Sequence, residues 1–358
     1  MPISNSFTPE ELNITNKVIT SVEGIRFYDV RRVPEMRIYG VMDAEDGHRF
    51  VRMPEAVAKT VSANVTNLNY ETAGGRLRFV TDSEYIAIKA TVGSAGRRNN
   101  LSALGSASFD VYVAKEGKQI FAGAFTSPIM APNGFDGIVK LGAGEKEITV
   151  NFPNYGGTSD LYIGITENAS ITRHRDYKYE KPVIFCGSSI TQGGCASRAG
   201  MSYENIISRR YDLNYINLGF SGSFLGEKEM AEYIASLDPS VLVMDYDHNA
   251  PNPEHLEATH EALYLTFRKA HPDTPVIMVG KPDFKLNDST ICKRRNVIFT
   301  TYSNARQRGE KVIFIDGYSL FAGDMREDCT VDGTHPNDLG MSRMASVIGK
   351  AVAYARTM

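Results

Sequence analysis

Two patterns of apolar and polar positions divide the chain. Up to about residue 166, short runs with strand-like alternation recur at intervals of about ten residues. They are RIYGV from Arg37, HRFVRM from His48, RLRFVT from Arg76, EYIAIKATV from Glu84, FDVYVA from Phe109 and QIFAGAF from Gln119. GIVKL from Gly137, KEITVNF from Lys146 and LYIGI from Leu161 follow. Turn signals separate them, among them Gly74-Gly75, Pro132-Asn133-Gly134 and Gly156-Gly157. Short, evenly spaced strands with almost no helical periodicity predict an all-β sandwich or jelly roll.

Residues 167–182 are polar and charged and end in Pro182, so the domain boundary is expected there, giving domains 1–170 and 176–358. Beyond it the pattern changes. Continuous apolar runs (Val183 to Cys186, Tyr215 to Leu218, Val241 to Met244, Val276 to Val279, Val312 to Ile315) alternate with longer segments of helical period, such as Pro253 to Ala270 and Ser289 to Arg308. A strand apolar on both faces belongs to a sheet covered on both sides, so this half predicts an α/β, doubly wound, mostly parallel sheet. Ligands of such sheets bind outside the carboxyl ends of the strands, which directs attention to the loops leaving these five runs.

Composition narrows the functional classes. The chain has 358 residues, 42% apolar and 23% charged, as a soluble two-domain protein with ample core would. Its net charge is -3, and its basic groups are short (Arg97-Arg98, Arg173-His174-Arg175, Lys293-Arg294-Arg295). Nucleic acid is therefore not expected as a partner. No apolar run approaches the ~18 residues of a membrane span, and the amino terminus carries no signal-peptide pattern; a cytoplasmic protein without a membrane partner is expected. Homo-oligomerisation is left open. The four cysteines (Cys186, Cys195, Cys292, Cys329) have no CxxC spacing and read as free thiols.

The loops at the strand ends carry the candidate chemistry. The first strand leads into Gly187-Ser188-Ser189-Ile190-Thr191-Gln192-Gly193. A hydroxyl in this glycine-bracketed turn is either an exposed nucleophile or a helix N-cap. The second leads into Gly219-Phe220-Ser221-Gly222-Ser223, whose backbone N–H groups could face an anion. The third ends in Asp245-Tyr246-Asp247-His248-Asn249-Ala250-Pro251, unusually polar for the end of a buried strand. The last leads on to Asp332-Gly333-Thr334-His335-Pro336, an acid three residues before a histidine. Serine attack on a carbonyl needs a base, a carboxylate to orient that base and preorganised donors for the oxyanion. One sheet edge offers all four.

In this order the four segments resemble the sequence blocks of the SGNH (GDSL-like) hydrolases, and residues 183–355 fit that layout. The resemblance implies a flavodoxin-like catalytic domain in which Ser189 is the nucleophile, His335 the base and Asp332 its orienting acid. It also implies an oxyanion hole made of the Ser189 and Gly222 N–H groups and the Asn249 amide. Two departures stand out. Ser188 replaces the acid of the family's Gly-Asp-Ser, and Asp247-His248-Asn249-Ala250 replaces Gly-x-Asn-Asp. Both variants are similar to a subgroup with an amino-terminal β-sandwich marked by a Gly-x-Asp-Leu-Tyr motif, which Ser108-Phe109-Asp110-Val111-Tyr112 matches approximately.

The competing assignments are weaker. Cys186 lies in an apolar strand and is expected as core. His255 and His260 are about 140° apart around a helix, so they form no metal pair and are expected to face solvent. Asp245 and Asp247 lack further metal ligands, His248 and Ser188 are expected to line the pocket, and Lys293-Arg294-Arg295 reads as a solvated helix face. The expected activity is therefore a serine esterase with no metal or organic cofactor, acting on a small-molecule or oligosaccharide ester. Within that resemblance, removal of a short acyl group, acetyl foremost, from a sugar is expected. An acyltransferase on the same acyl-enzyme and a catalytically inactive carbohydrate-binding protein are the alternatives. The amino-terminal sandwich is expected to be structural rather than an independent binding module, with Arg97 to Asn100 as a loop that could reach the cleft.

Overall fold

The computed structural model describes residues 6–93, 99–126, 134–282 and 288–358. Arg97, Arg98, Pro132 and Asn133, named above, lie outside the described residues. The chain forms two compact units. Unit 1 comprises 1–52, 70–176 and 198–200, and unit 2 comprises 53–69, 177–197 and 201–358. They thus differ from a linear division at 170–176, because 53–69 and 198–200 each belong to the unit other than the one their position along the chain suggests.

Unit 1 is a sandwich of two five-stranded antiparallel sheets. One contains Ile25–Asp29, Thr158–Thr166, Tyr85–Val92 and Phe135–Lys140, and the other Arg37–Tyr39, Arg76–Thr81, Lys146–Asn151, Phe109–Lys115 and Lys118–Phe125. Alternation aims Ile86, Ile88 and Ala90, with Leu161, Ile163 and Ile165, at Leu77, Phe79, Val111, Ile148 and Val150 of the opposite sheet. The register sets Ile163 opposite Ile88, and Ile148 opposite Phe79. A slip of one residue would turn each of these side chains out of the core, so the alternation itself fixes the pairing. Asp110, in the Ser108–Tyr112 motif, is buried. Its Oδ2 accepts from the Gly200 N–H at 2.8 Å and from Arg198 Nη1 at 3.0 Å, holding segment 198–200 in this unit.

Three features of the amino-terminal half differ from the reading of its alternation. The segment HRFVRM contributes only a two-residue strand, Phe50–Val51, paired with Met42–Asp43 outside both large sheets. Ser6–Phe7 and Ile25–Asp29 are additional strands. Residues Glu55–Val61 and Ala63–Leu68 are helices, with Ala58, Val65 and Leu68 in a core of unit 2.

From Tyr179 onward, unit 2 is built on a parallel sheet. Its strands are β1 (Tyr179–Gly187), β2 (Leu213–Gly219), β3 (Val241–Asp245), β4 (Val276–Val279) and β5 (Val312–Ile315). The helices between and after them are α1 (Ser189–Gln192), α2 (Tyr203–Tyr211), α3 (Lys228–Ser236), α4 (Pro253–Ala270), α5 (Ser289–Gln307) and α6 (Asp338–Ala355). Alternate residues of each central strand feed two separate cores. Ile184, Cys186, Leu242, Met244, Val276 and Met278 pack with α3, α4 and α5 on one face. Val183, Phe185, Val241, Val243, Ile277 and Val279 pack with α2 and α6 on the other. Two buried faces are why the strands read as unbroken apolar runs.

The strand order is β2-β1-β3-β4-β5. The chain therefore leaves β1 toward one side and comes back to β3 on the other, which is the flavodoxin-like doubly wound order. The loops after β1 and β3 flank that switch point, where such sheets bind ligands. Among the described residues, no helix is long and apolar enough to cross a membrane.

Candidate active site

The two serines after β1 have different tasks. Ser188 is the N-cap of α1: it has extended backbone, and its Oγ accepts the Ile190 N–H at 3.1 Å. It is fully buried, so the pocket-lining role expected for it gives way to capping. An aspartate at this position would serve equally as a cap, which explains how the turn tolerates Ser188 in place of the acid. Ser189 is the first residue of α1. Its Oγ lies 2.9 Å from His335 Nε2.

His335 is oriented from its other side. Nδ1 is 2.8 Å from Asp332 Oδ2, so the Nδ1–H donates to the carboxylate and Nε2 is left to accept the Ser189 proton. Asp332 is itself held by the turn it begins: Oδ1 accepts the N–H groups of Thr334 (3.0 Å) and His335 (2.8 Å). Gly333 allows that turn by taking a φ of +82°. The Pro336 carbonyl accepts the Cys195 N–H at 2.9 Å, joining this loop to the segment after α1. The first residue of α1 and two from the loop before α6 thus form one continuous Ser–His–Asp row.

The expected anion-facing side is also assembled, with its donors engaged. Asn249 ends a short 3-10 turn, Asp247–Asn249, after β3. Its Oδ1 accepts the Gly222 N–H at 3.2 Å, and its Nδ2 donates to the Phe220 carbonyl (2.9 Å) and the Phe224 carbonyl (3.1 Å). Gly222 has a φ of +65°, and a Cβ there would meet open space. The structure brings Gly222 and Asn249 together, but with their polar hydrogens on protein acceptors.

Asp247 and Arg294 support this loop. Asp247 is buried, and Arg294 of α5 reaches its Oδ1 (3.0 Å) and carbonyl (2.7 Å) through Nη1 and the Ala250 carbonyl (2.7 Å) through Nη2. The Lys281 N–H adds a bond to Asp247 Oδ2 at 2.8 Å. Burial raises the Asp247 pKa, opposed by these two partners. Arg294 therefore does not belong to the solvated face expected for Lys293-Arg294-Arg295; its side chain is 11% exposed. The signal lay in the helix itself, since 294, 298, 301 and 305 recur at spacings of three and four, and Ile298, Thr301 and Ala305 are buried.

The remaining candidates fall into place around this row. His248 is half-buried, and among the described residues its buried Nε2 has no hydrogen-bond partner. Burial first, then the nearby Lys281, His335 and Arg294, holds its pKa far below the ordinary imidazole value, so it is neutral. His260 is not solvent-facing as expected: it is buried, stacked on Tyr246 at 5.8 Å, and bonded to Thr301 Oγ1 at 3.0 Å. Desolvation pushes its pKa down to about 3. His255 is tied through Nε2 to the Leu225 carbonyl at 2.8 Å. Cys186 is fully buried and its thiol pKa is pushed up by burial, as a core residue's would be. Among the described residues, no group of three or more His, Cys, Asp or Glu side chains could hold a metal ion.

A doubly wound α/β unit with a Ser–His–Asp row at its strand ends is the frame of a flavodoxin-like hydrolase. A family model for GDSL-like lipases/acylhydrolases matches residues 180–353, and one for the amino-terminal GxDLY domain of SGNH-hydrolase-type esterases matches 25–171. Residues 180–353 thus form a domain of the GDSL-like lipase/acylhydrolase family, and residues 25–171 a GxDLY domain that precedes it.

Among solved structures, it is similar to a GDSL-like lipase from Bacteroides ovatus ATCC 8483, with 29% identity and a TM-score of 0.82 over 92% of this chain and 98% of that one. The salicylyl-acyltransferase of a tetracycline biosynthetic pathway shares the fold at 18% identity, with a TM-score of 0.75 over 93% and 98% of the two chains. So does an acetyl xylan esterase from the rumen bacterium Butyrivibrio proteoclasticus, at 13% identity and a TM-score of 0.59 over 92% and 98%. No curated protein matches the sequence.

Proposed function

We propose that the protein is a serine esterase that removes a short acyl group, acetyl foremost, from a carbohydrate or another small alcohol. The observation that carries this reading is the row Ser189 Oγ–His335 Nε2–Asp332, with contacts of 2.9 and 2.8 Å. A serine hydroxyl is a weak nucleophile until a base takes its proton, and the Nε2 lone pair is aimed at that proton.

Ser189 Oγ attacks the acyl carbonyl while His335 Nε2 takes its proton. Asp332 stabilises the imidazolium through Nδ1–H without itself becoming protonated. The tetrahedral oxyanion draws on the N–H groups of Ser189 and Gly222 and on Asn249. The Gly222 N–H is free to turn to it, because a charged acceptor outcompetes a neutral amide oxygen 3.2 Å away. Collapse breaks the bond to the alcohol, which leaves with the proton from His335. Water then adds to the acyl-enzyme with His335 again as base, releasing the carboxylic acid and Ser189. Ser188 supports the reaction only by capping α1, and His248 stands beside the row as a neutral ring.

The sugar ester is favoured because an acetyl xylan esterase shares both the catalytic fold and the length of this chain. The test is an ester panel of varied acyl length that includes acetylated oligosaccharides, run on wild type and Ser189→Ala. Turnover of acetyl esters that Ser189→Ala lacks, with fluorophosphonate labelling of Ser189, supports the reading. Wild-type rates in Ser189→Ala, without labelling, would refute it. A transferase reading rests on the likeness to the salicylyl-acyltransferase, and would appear as acyl-enzyme partitioning to added alcohol or amine in preference to water.

A further inference from the structure

β1 lies between β2 and β3 in the sheet, and each neighbour sends one buried polar side chain to the same residue, Thr191. From β3, Asp245 Oδ2 is 3.3 Å from the Thr191 hydroxyl and accepts the Tyr203 hydroxyl at 3.0 Å. From β2, Asn217 Nδ2 donates to the Thr191 carbonyl at 2.6 Å. Asp245, Asn217, Thr191 and Tyr203 are all buried. Thr191 stands two residues after Ser189 in a helix of only four residues, too short to hold its own orientation by cooperative hydrogen bonding. The preceding residue is tied down as well, since the Asp245 carbonyl accepts the Ser188 N–H at 3.2 Å. Asn217 Oδ1 also accepts the Gly219 N–H at 2.9 Å, linking the grip on Thr191 to the loop that carries Gly222.

We propose that Asp245 and Asn217 are positioning residues that act on Ser189 through Thr191. The nucleophile needs this grip because a displacement of about 1 Å at a reacting atom costs on the order of 10²-fold in rate. A buried carboxylate is an expensive choice for packing alone, because an apolar side chain of similar volume avoids its desolvation. Among the described residues Asp245 Oδ1 has no hydrogen-bond partner, and the contacts of this carboxyl group run through Oδ2. An uncharged acceptor at Oδ2 performs the same task, so an asparagine at 245 satisfies it with its amide oxygen, whereas an alanine does not.

This inference rests on Ser189 being the nucleophile, and the experiment separates the two. The fluorophosphonate labelling rate at Ser189, kcat and KM on p-nitrophenyl acetate, and the melting temperature are measured for wild type, Asp245→Ala, Asp245→Asn, Asn217→Ala and Thr191→Val. We expect Asp245→Ala and Asn217→Ala to label about 10- to 100-fold more slowly and to lose kcat in parallel, with KM within about threefold. Asp245→Asn should retain both rates within about threefold, and Thr191→Val should fall between.

Folded Asp245→Ala with wild-type labelling and kcat overturns the proposal, as does an Asp245→Asn as impaired as the alanine variant. Should Asp245→Ala fail to fold, Thr191→Val and Tyr203→Phe decide: wild-type labelling in both overturns it. If wild type itself is not labelled at Ser189, the esterase reading fails and this inference fails with it. Labelling of wild type with no response in the variants defeats this inference alone.

Discussion

Arg294 closes a buried ion pair with Asp247 at 3.0 Å and, with the same guanidinium, takes the carbonyls of Asp247 and Ala250, the residues on either side of His248-Asn249. One side chain of α5 thus holds the loop that presents Asn249. The family resemblance implies an acid after the asparagine, whereas this chain has an apolar residue there, Ala250, and its acid, Asp247, stands two residues before Asn249. Arg294→Ala leaves the buried Asp247 carboxylate without its ion-pair partner, a change that costs about 3–5 kcal/mol. For a unit of this size that lowers the melting temperature by roughly 10 °C. Arg294→Lys keeps the charge but loses the two-pronged contact, so it should fall between. Thermal unfolding of the three proteins checks this, and an Arg294→Ala melting within 2 °C of wild type contradicts it.

Asp332 bonds both the ring of His335 and the N–H groups of its own turn. Asp332→Asn preserves much of that turn, because the amide oxygen still accepts, but it offers His335 Nδ1 no charge and favours the wrong tautomer. The expected loss in kcat is about 10³- to 10⁴-fold with KM little changed. Steady-state kinetics on p-nitrophenyl acetate would show it. A loss below tenfold would mean that His335 is oriented by something other than Asp332.

The oxyanion side can be separated into backbone and side-chain parts. At Gly222 a methyl group enters open space but must adopt a φ of +65°, so Gly222→Ala retains the N–H at a cost of about 1–2 kcal/mol in stability. Its kcat should stay within about threefold of wild type. Asn249→Ala removes the amide that ties Phe220, Gly222 and Phe224 together, and should lower kcat by about 10²- to 10³-fold. Equal effects of the two substitutions on kcat would show that the loop's shape, rather than its donors, carries this step.

The contrast among these residues shows what a sequence exposes. Ser189 stands in a glycine-bracketed turn at a strand end, Asp332 and His335 flank Gly333 in the loop before α6, and their spacing resembles that of a known family. The two adjacent hydroxyls divide the nucleophile and N-cap readings of that turn, with Ser188 doing the capping. Arg294 was hidden because a run of three basic residues reads as a solvated face, although one of the three lies on the helix's inward stripe. Asn217 and Asp245 lie inside or at the end of buried strands, where a single polar residue carries no periodicity and its partner at 191 is distant in sequence. The helices 55–61 and 63–68 have no readable period because each is short and strands surround them, although Pro54-Glu55 and Ser62 are start signals of the usual kind.

Asp245 makes a prediction about stability that is separate from its effect on Ser189. Burial raises its pKa from 3.8 to about 7, ahead of the lowering effect of the Tyr203 and Thr191 hydrogen bonds, and Asp247 adds to the rise. The folded state therefore holds this proton more tightly than the unfolded chain. The resulting stabilisation is complete below pH 3.8 and is lost as pH rises to about 7, after which it changes no further. Three units of pKa correspond to about 4 kcal/mol as the full span of that loss. His174, lowered to about 4, and His260, lowered to about 3, act in the opposite sense, since their contribution is present above the ordinary histidine range and falls as pH drops. The wild-type profile mixes these effects, whereas the difference between wild type and Asp245→Asn isolates one of them. Urea unfolding from pH 4 to pH 8 should show wild type losing stability relative to Asp245→Asn up to about pH 7 and a constant difference beyond. A difference independent of pH, or one that grows in favour of wild type as pH rises, would mean that Asp245 is ionised in the folded protein throughout this range.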